Sequence, residues 1–202
     1  MPRAGLSHDA VVALALEVVD EGGPRGFAQL TLAAVAERAG VATPSLYKHV
    51  GGLPALRREV ARIAVEHLTA TLSAAAAAST RDPADALRAM AHALREQARA
   101  LPGRYSALQG ASWVLDPEAT AVRAAAGETV AVIAEQLTRL GVPESRRIDA
   151  VRAFRAAVHG FIALELDGGF GLPDDVDVSF DYLVDGLVDA LATTGAATTT
   201  SQ

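Results

Sequence analysis

The sequence predicts an all-α protein of about nine helices. Alanine is abundant among its 202 residues, aromatic residues make up only 4% of the chain, and β-branched residues do not alternate with polar ones. Such a composition favours helices over strands. Half of the residues are hydrophobic, enough for the cores of a small N-terminal helix-turn-helix domain and a larger C-terminal helical domain.

The first helix is expected over residues 8–22. Its apolar positions recur at helical spacing, and Ser7 precedes it as an N-cap. Gly22-Gly23-Pro24 then ends it, because glycine adopts conformations that stop a helix and proline cannot continue one.

Residues 31–50 predict two short helices joined by a tight turn. Thr31 can cap the first helix, and Gly40 suits the left-handed residue that ends it. Thr43 can cap the second helix, with Pro44 in its first turn. The second helix is too short to persist alone, so it depends on an apolar core. We expect that core to include Val35, Val41 and Leu46, with the small Ala36 where the two helices approach.

The remaining helices are separated by Gly, Pro and polar breaks. They are expected at about residues 53–78, 83–100, 104–112, 116–140, 144–167 and 178–191. In the helix over 144–167, the expected inward positions are Ile148, Val151, Phe154, Val158, Phe161 and Ile162. The small, polar end of the chain, residues 195–202, is expected to be a disordered tail.

The charge is distributed unevenly along the chain. The net charge is -6, yet four basic residues and no acidic residue lie between positions 38 and 58: Arg38, Lys48, Arg57 and Arg58. Such a patch can meet phosphates while the acidic remainder limits indiscriminate binding. The alternative is an ordinary solvated surface.

The second helix of the pair carries side chains suited to the major groove of DNA. Five of them can donate hydrogen bonds to phosphates or base edges, namely Thr43, Ser45, Tyr47, Lys48 and His49. Lys48 is the only lysine of the chain. The alternative is a helix-turn-helix that never touches DNA, since this geometry also occurs in other proteins.

Several classes of protein are disfavoured. The chain has no cysteine, which excludes disulfides and thiolate catalysis. No signal peptide is apparent, and no run approaches the roughly 20 apolar residues of a membrane span, so we expect a soluble cytoplasmic protein without a membrane partner. Glu-x-x-His, His-x-x-x-His and Gly-x-Ser-x-Gly patterns do not occur. We therefore expect no catalytic residue, metal or cofactor, although composition leaves a Ser/His/Asp site open.

The stretch from Ser7 to Leu68 resembles the DNA-binding domain of the TetR family of bacterial transcriptional regulators. The matching features are the Leu30-Thr31 start, the Ala36…Ala39-Gly40-Val41 turn, and Leu46-Tyr47-Lys48-His49-Val50. The resemblance implies a DNA-binding domain over residues 7–68, with the helix-turn-helix at 31–50. It also implies that Tyr47, Lys48 and His49 contact phosphates, while Thr43, Pro44 and Ser45 face bases or the groove.

One position departs from the pattern of the family. Many members carry a lysine near a phosphate at the start of the next helix, where this chain has Leu53. Arg57 or Arg58 is expected to replace that contact. The complete predicted DNA-binding set is Thr31, Thr43, Pro44, Ser45, Tyr47, Lys48, His49 and Arg57.

Residues 69–194 resemble, less specifically, a C-terminal ligand-binding domain found in one TetR subgroup. The resemblance rests on Val158-His159-Gly160-Phe161, Leu164-Glu165, Phe180 and Pro102-Gly103-Arg104-Tyr105. It implies a homodimer formed by the last two long helices and a small-molecule pocket in each body. The expected interface residues are Val158, Phe161, Phe180, Val184, Leu187 and Leu191. His159 itself is expected to be structural, and Gly160 to permit close helix approach.

Five large side chains of the body can line the pocket or simply fill the core: Met90, Tyr105, Trp113, Phe154 and Phe161. Few charged residues lie on the inward faces, so the expected effector is a small, largely apolar molecule. The family habit is a repressor that is released from a palindromic operator by its effector. The alternative is a helical adaptor that binds only protein, because an apolar last helix suits either kind of partner. Steep salt dependence of DNA binding would separate the two.

Overall fold

The computed structural model describes residues 6–79, 82–109 and 111–199. Every regular element in these ranges is helical, which confirms the predicted all-α class. Among these helices, none combines the length and the apolar character needed to cross a bilayer.

Most predicted helices are present, although several are subdivided. The α-helices are α1 (His8–Glu21), α2 (Gly26–Gln29), α3 (Leu32–Ala39), α4 (Tyr47–Val50), α5 (Leu53–Ala78), α6 (Pro83–Ala100), α7 (Pro102–Leu108), α8 (Ala111–Val114), α9 (Thr120–Arg139), α10 (Arg147–Leu166) and α11 (Val176–Thr199). Short 3-10 helices, Gly23–Arg25, Thr43–Leu46 and Glu144–Arg146, precede α2, α4 and α10.

The chain packs as two compact units. The first comprises residues up to His67 together with Ala100–Ala126, and the second comprises Leu68–Arg99 together with the residues from Gly127 onward. The first unit therefore contains α7 and α8 as well as the helix-turn-helix. The sequence alone predicts that these residues belong to the C-terminal domain over residues 69–194.

Side-chain caps begin two helices of the first unit where the sequence predicted them. The Ala10 N–H donates to Ser7 Oγ at 3.2 Å, and the Ala34 N–H donates to Thr31 Oγ1 at 3.2 Å. Each cap satisfies a backbone donor that a helix N-terminus would otherwise leave unpaired.

An apolar core holds the short helices of the first unit together. Val35, Ala36 and Leu46 are buried as predicted, whereas Val41 is only partly buried. The turn before α4 packs on α3, and α4 packs on α1. This packing gives α4 a stability that a single helical turn does not have by itself.

Glycines let α7 lie against the end of α1 in the first unit. A Cβ on Gly103 would come within 2.1 Å of the Val19 carbonyl oxygen, and a Cβ on Gly26 within 1.9 Å of the same atom. Arg104 donates from Nη2 to Asp20 Oδ2 at 2.6 Å and from Nε to Asp20 Oδ1 at 2.9 Å. The contact between α7 and the end of α1 is therefore stabilised by close backbone packing and by the Arg104–Asp20 ion pair.

The second unit is built around a buried arginine. Arg95 is 5% exposed, donates to both carboxylate oxygens of Glu165 at 2.8 and 2.7 Å, and donates to Asp177 at 2.7 Å. Its guanidinium carbon lies 4.7 Å from the ring centroid of Phe180. The hydrogen bonds from Arg95 hold the pKa of Glu165 below its ordinary value even though burial acts in the opposite direction. This cluster connects α6, α10 and the start of α11.

Two sequence predictions for the second unit need correction. Ile148 is 53% exposed rather than inward, because the buried face of α10 begins at Ala150 and Val151 instead. The last helix continues to Thr199 and so includes part of the predicted disordered tail, since no proline interrupts the helix after Leu191. Residues 200–202 of that tail lie outside the described residues.

Candidate nucleic-acid interface

The turn of the helix-turn-helix is made by Gly40 as predicted. Gly40 adopts the left-handed conformation, with φ 65° and ψ 33°. Its N–H donates to the Glu37 carbonyl at 3.0 Å, and the Val41 N–H donates to the Ala36 carbonyl at 3.0 Å. These bonds close the last turn of α3 and redirect the chain toward α4.

The second element of the motif differs from the predicted helix. Residues Thr43–Leu46 form a 3-10 helix, and only Tyr47–Val50 are α-helical. Thr43 is therefore its first residue and not an N-cap; Ala42 precedes the element, and no side chain caps it. Pro44 tolerates this tighter turn because it needs no N–H partner there.

Four of the predicted DNA-binding side chains are exposed. Tyr47 is 57% exposed, and Thr31, Pro44 and Lys48 are also exposed. Thr43 and Ser45 are half-buried. The polar and aromatic groups of the short second element are thus accessible while Leu46 and Val50 hold it in the core.

His49 is less accessible than its position suggested. The residue is half-buried, and its Nε2 is buried without a hydrogen-bond partner in the described chain. A phosphate contact from His49 would have to use Nδ1 in this conformation.

The four cations of the acid-free stretch have different environments. Arg38 donates to Glu17 at 3.0 Å and also to Glu21, and these hydrogen bonds raise the pKa of Arg38 above its ordinary value. Arg58 pairs with Asp116 at 3.0 Å and with Glu118 at 2.6 Å. In the part of the chain that the structure describes, Lys48 has no ion-pair partner. The acidic partners of Arg38 come from α1, and those of Arg58 come from the segment after α8.

Arg57 and Leu53 both contribute to the local packing of the first unit. Arg57 Nη2 donates to the carbonyl oxygens of Ala28 and Leu30 at 3.1 and 3.2 Å. Leu53 is half-buried and packs against the core of the first unit. Arg57 therefore stabilises the end of α2, and the leucine that replaces the family lysine contributes apolar contact.

The predicted pocket residues are divided between the units. Tyr105 is buried and Trp113 half-buried in the first unit, whereas Met90 and Phe154 are fully buried in the second. Phe161 is half-buried in the second unit, with its ring 4.6 Å from that of Phe170. The assignment of these side chains to an effector pocket stays a prediction.

The predicted dimer-interface set consists mostly of side chains that are buried within the single chain. Four of its members are buried inside the single chain: Val158, Phe180, Val184 and Leu191, at 0–7% exposure. Phe161 and Leu187 are half-buried. Apolar periodicity marked the inward faces of α10 and α11, and a side chain buried in its own unit presents no surface to a partner. A Cβ on Gly160 would meet nothing within 4 Å, so the expected close helix approach is absent within the described chain.

Sequence reasoning missed the Arg104–Asp20 and Arg95–Glu165 pairs. Their members are 84 and 70 positions apart, so no local spacing connects them. The sequence offers one member of each pair, because Arg104 and Glu165 both belong to the runs that resemble relatives, but it offers no partner for either.

Family comparisons agree with this architecture. A family model described as "Bacterial regulatory proteins, tetR family" matches residues 20–52, and one described as "Tetracyclin repressor-like, C-terminal domain" matches residues 87–187. The uncharacterised HTH-type transcriptional regulator Rv0681 of Mycobacterium tuberculosis is 37% identical over 179 residues, which cover 86% of this chain and 75% of that relative. The fold and its exposed α4 are those of a helix-turn-helix transcriptional regulator. The chain belongs to the TetR family.

Two solved structures share the fold. BioQ, solved with its double-stranded DNA operator, superposes with a TM-score of 0.64 at 23% identity, covering 91% of this chain and 99% of BioQ. Streptomyces coelicolor ActR, solved in complex with (S)-DNPA, superposes with a TM-score of 0.67 at 18% identity, covering 94% of this chain and 98% of ActR.

Proposed function

We propose that the protein is a homodimeric transcriptional repressor that leaves a pseudo-palindromic operator when a small, largely apolar effector binds. The proposal that the protein binds DNA rests on the environment of Lys48. It is exposed on α4 and has no ion-pair partner among the described residues, whereas Arg38, Arg57 and Arg58 are bonded within the first unit. A cation left in water is available to a phosphate at little desolvation cost.

The roles within the site follow from exposure. Lys48 and Tyr47 would contact phosphates, and Thr31 would add a hydroxyl at the start of α3. Pro44 would face the groove with Thr43 and Ser45. In a dimer, the two recognition elements would enter successive major grooves about 34–36 Å apart. The DNA-bound structure of BioQ supports this arrangement by its shared fold.

The test is a salt series on DNA captured from genomic fragments by the purified protein. Lys48→Ala should weaken binding to all sequences about equally. It should also make the negative slope of log K against log salt shallower by about one per protomer. The matched control is Arg146→Ala, which removes an exposed cation of the second unit and should leave the slope unchanged. An unchanged slope in Lys48→Ala would remove Lys48 from the phosphate contacts, and absence of any salt-dependent binding would favour the adaptor.

The dimer would use the outward faces of α10 and α11. On α11, Val178, Tyr182, Gly186 and Ala190 recur every fourth residue and are all exposed. On α10, Leu164 is 53% exposed and Gly160 has open space beside it. An exposed apolar stripe with small residues suits close packing of helices from two chains. These faces replace the buried set predicted from the sequence.

The effector would bind in the apolar interior of the second unit, near Met90 and Phe154. Its binding would favour a conformation whose two recognition elements no longer match the operator, lowering DNA affinity by about 1–3 kcal/mol. The complex of ActR with (S)-DNPA supports a ligand site on this fold. In this proposal the protein acts in the cytoplasm as a binding protein and not as an enzyme. An effector that leaves operator affinity unchanged would contradict it.

A further inference from the structure

A cleft of about 200 Å³ lies within the first unit, where α2, the first turns of α5, α8 and the segment after α8 meet. Its apolar lining consists of Phe27, Leu53, Pro54, Ala61 and Trp113, and its charged lining consists of Arg57, Arg58 and Asp116. Clefts for drug-sized molecules typically measure about 300–1,000 Å³. This cleft therefore suits a smaller molecule with an apolar body.

Arg57 gives the cleft a positive charge without a counter-ion. Its Nη2 is bonded to the uncharged carbonyls of Ala28 and Leu30, and its Nε is buried without an acceptor. In the described part of the first unit, no carboxylate pairs with it. An uncompensated guanidinium beside apolar walls attracts an anion more strongly than one in open water.

Arg58 has two carboxylate partners that differ in strength. Asp116 accepts from Arg58 Nη1 at 3.0 Å and from the Glu118 N–H at 2.9 Å, and the pKa of Asp116 lies below its ordinary value because of these two bonds, with the backbone bond first. The Glu118 carboxylate, on Arg58 Nη2, is 70% exposed and does not line the cleft. An ion pair to a solvated, flexible glutamate is weak and easily exchanged.

We propose that this cleft is a binding site for a small organic carboxylate. The apolar body of the ligand lies in the cleft against Trp113 and Phe27. Its carboxylate lies at the edge of the cleft, where it takes the place of Glu118 on Arg58 Nη2, near the unpaired charge of Arg57. The site belongs to the first unit and is separate from the effector site proposed for the second unit, so neither proposal depends on the other.

Trp113 makes the site directly observable, because it is the only tryptophan of the chain. Its fluorescence should change saturably when cyclohexanecarboxylate is titrated into the full-length protein. Cyclohexanecarboxamide, which has the same body without the charge, and inorganic phosphate, which has charge without the body, should each bind at least tenfold more weakly. Equal binding of the amide or of phosphate would overturn the proposed ligand class, and no saturable change in the folded protein would overturn the site.

Two variants test the exchange at Arg58. Glu118→Gln removes the competing carboxylate and should tighten cyclohexanecarboxylate binding several-fold, a gain that misfolding cannot produce. Arg58→Gln should weaken it at least tenfold, whereas Arg62→Gln, on the same helix and paired with Glu59 and Glu66 outside the cleft, should not change it. Unchanged or weaker binding by Glu118→Gln would contradict the exchange.

Discussion

At the scale of single residues, the spatial partners of a charge decide its role. Arg38 and Lys48 belong to the same acid-free stretch, yet Arg38 is bound by two glutamates of α1 and Lys48 extends into solvent. A count of charges along the chain treats the two alike. Of these two, only Lys48 retains a charge that a phosphate can neutralise without breaking an existing ion pair.

The Arg95–Glu165 pair predicts a pH dependence of stability. The pKa of Glu165 is below its ordinary value of 4.5 because Arg95 hydrogen-bonds to the ionised form. A lowered folded pKa means that this stabilisation is complete above the unfolded pKa and is lost as the pH falls through the folded one. Glu165→Gln should therefore reduce the free energy of unfolding by about 2–3 kcal/mol at neutral pH. The difference from the wild type should shrink on acidification below about pH 4.5, as measured by urea unfolding at several pH values.

Glu96→Gln is the matched control for this measurement. Glu96 is exposed on α6, so its substitution should change the free energy of unfolding by less than about 0.5 kcal/mol. A Glu165→Gln difference that stays constant down to strongly acidic pH would show that the charge of Glu165 is not what stabilises the fold.

At the scale of elements, the contact between α1 and α7 depends on a glycine. Gly103→Ala should destabilise the protein by about 1–3 kcal/mol, because its Cβ would meet the Val19 carbonyl oxygen, a backbone atom that cannot swing aside. Gly127→Ala is the matched control: Gly127 lies inside helix α9 with open space around it, and alanine should stabilise that helix by about 0.5–1 kcal/mol. Thermal or urea unfolding of both variants measures how each substitution changes the free energy of unfolding. A change in the same direction for both variants would contradict the close-approach argument.

Local chemistry predicted the elements well where it acts over a few residues. Ser7, Thr31 and Gly40 each end or begin a helix through bonds to residues at most four positions away. The short second helix of the motif was less predictable. Residues Thr43–Leu46 form a 3-10 helix in which Leu46 is fully buried, and no spacing rule distinguishes such a turn from the first turn of an α-helix.

At the scale of the whole molecule, the orientation of α10 and α11 predicts how a dimer can be broken. Tyr182 is 85% exposed on α11, so Tyr182→Glu should place a charge in the proposed interface and give monomers in light scattering, with the free energy of unfolding of the monomer nearly unchanged. Leu172→Glu, at a 79% exposed position of the preceding loop, should leave the dimer intact. A stable dimer in Tyr182→Glu would contradict the proposed face.

Deletion of residues 178–202, which the apolar pattern of α11 alone would suggest as the way to make monomers, should instead unfold the second unit. Phe180, Val184 and Val188 are each at most 1% exposed and belong to its core. The truncated chain should lose helical circular dichroism and bind a hydrophobic dye. A folded monomer after this deletion would show that α11 is dispensable for the core.

The sequence by itself determined the helical class, the helix-turn-helix with its caps and glycine turn, and the regulator family. Each depends on composition, helical periodicity or residues close together in the chain. Only the tertiary structure decided that Arg38, Arg57 and Arg58 are bonded while Lys48 is exposed, that the apolar side of α11 faces its own core, and that Trp113 lies beside two arginines. The reason is physical: periodicity reveals that a side chain is apolar, but burial and ion pairing depend on partners tens of residues away, whose positions only the folded chain supplies.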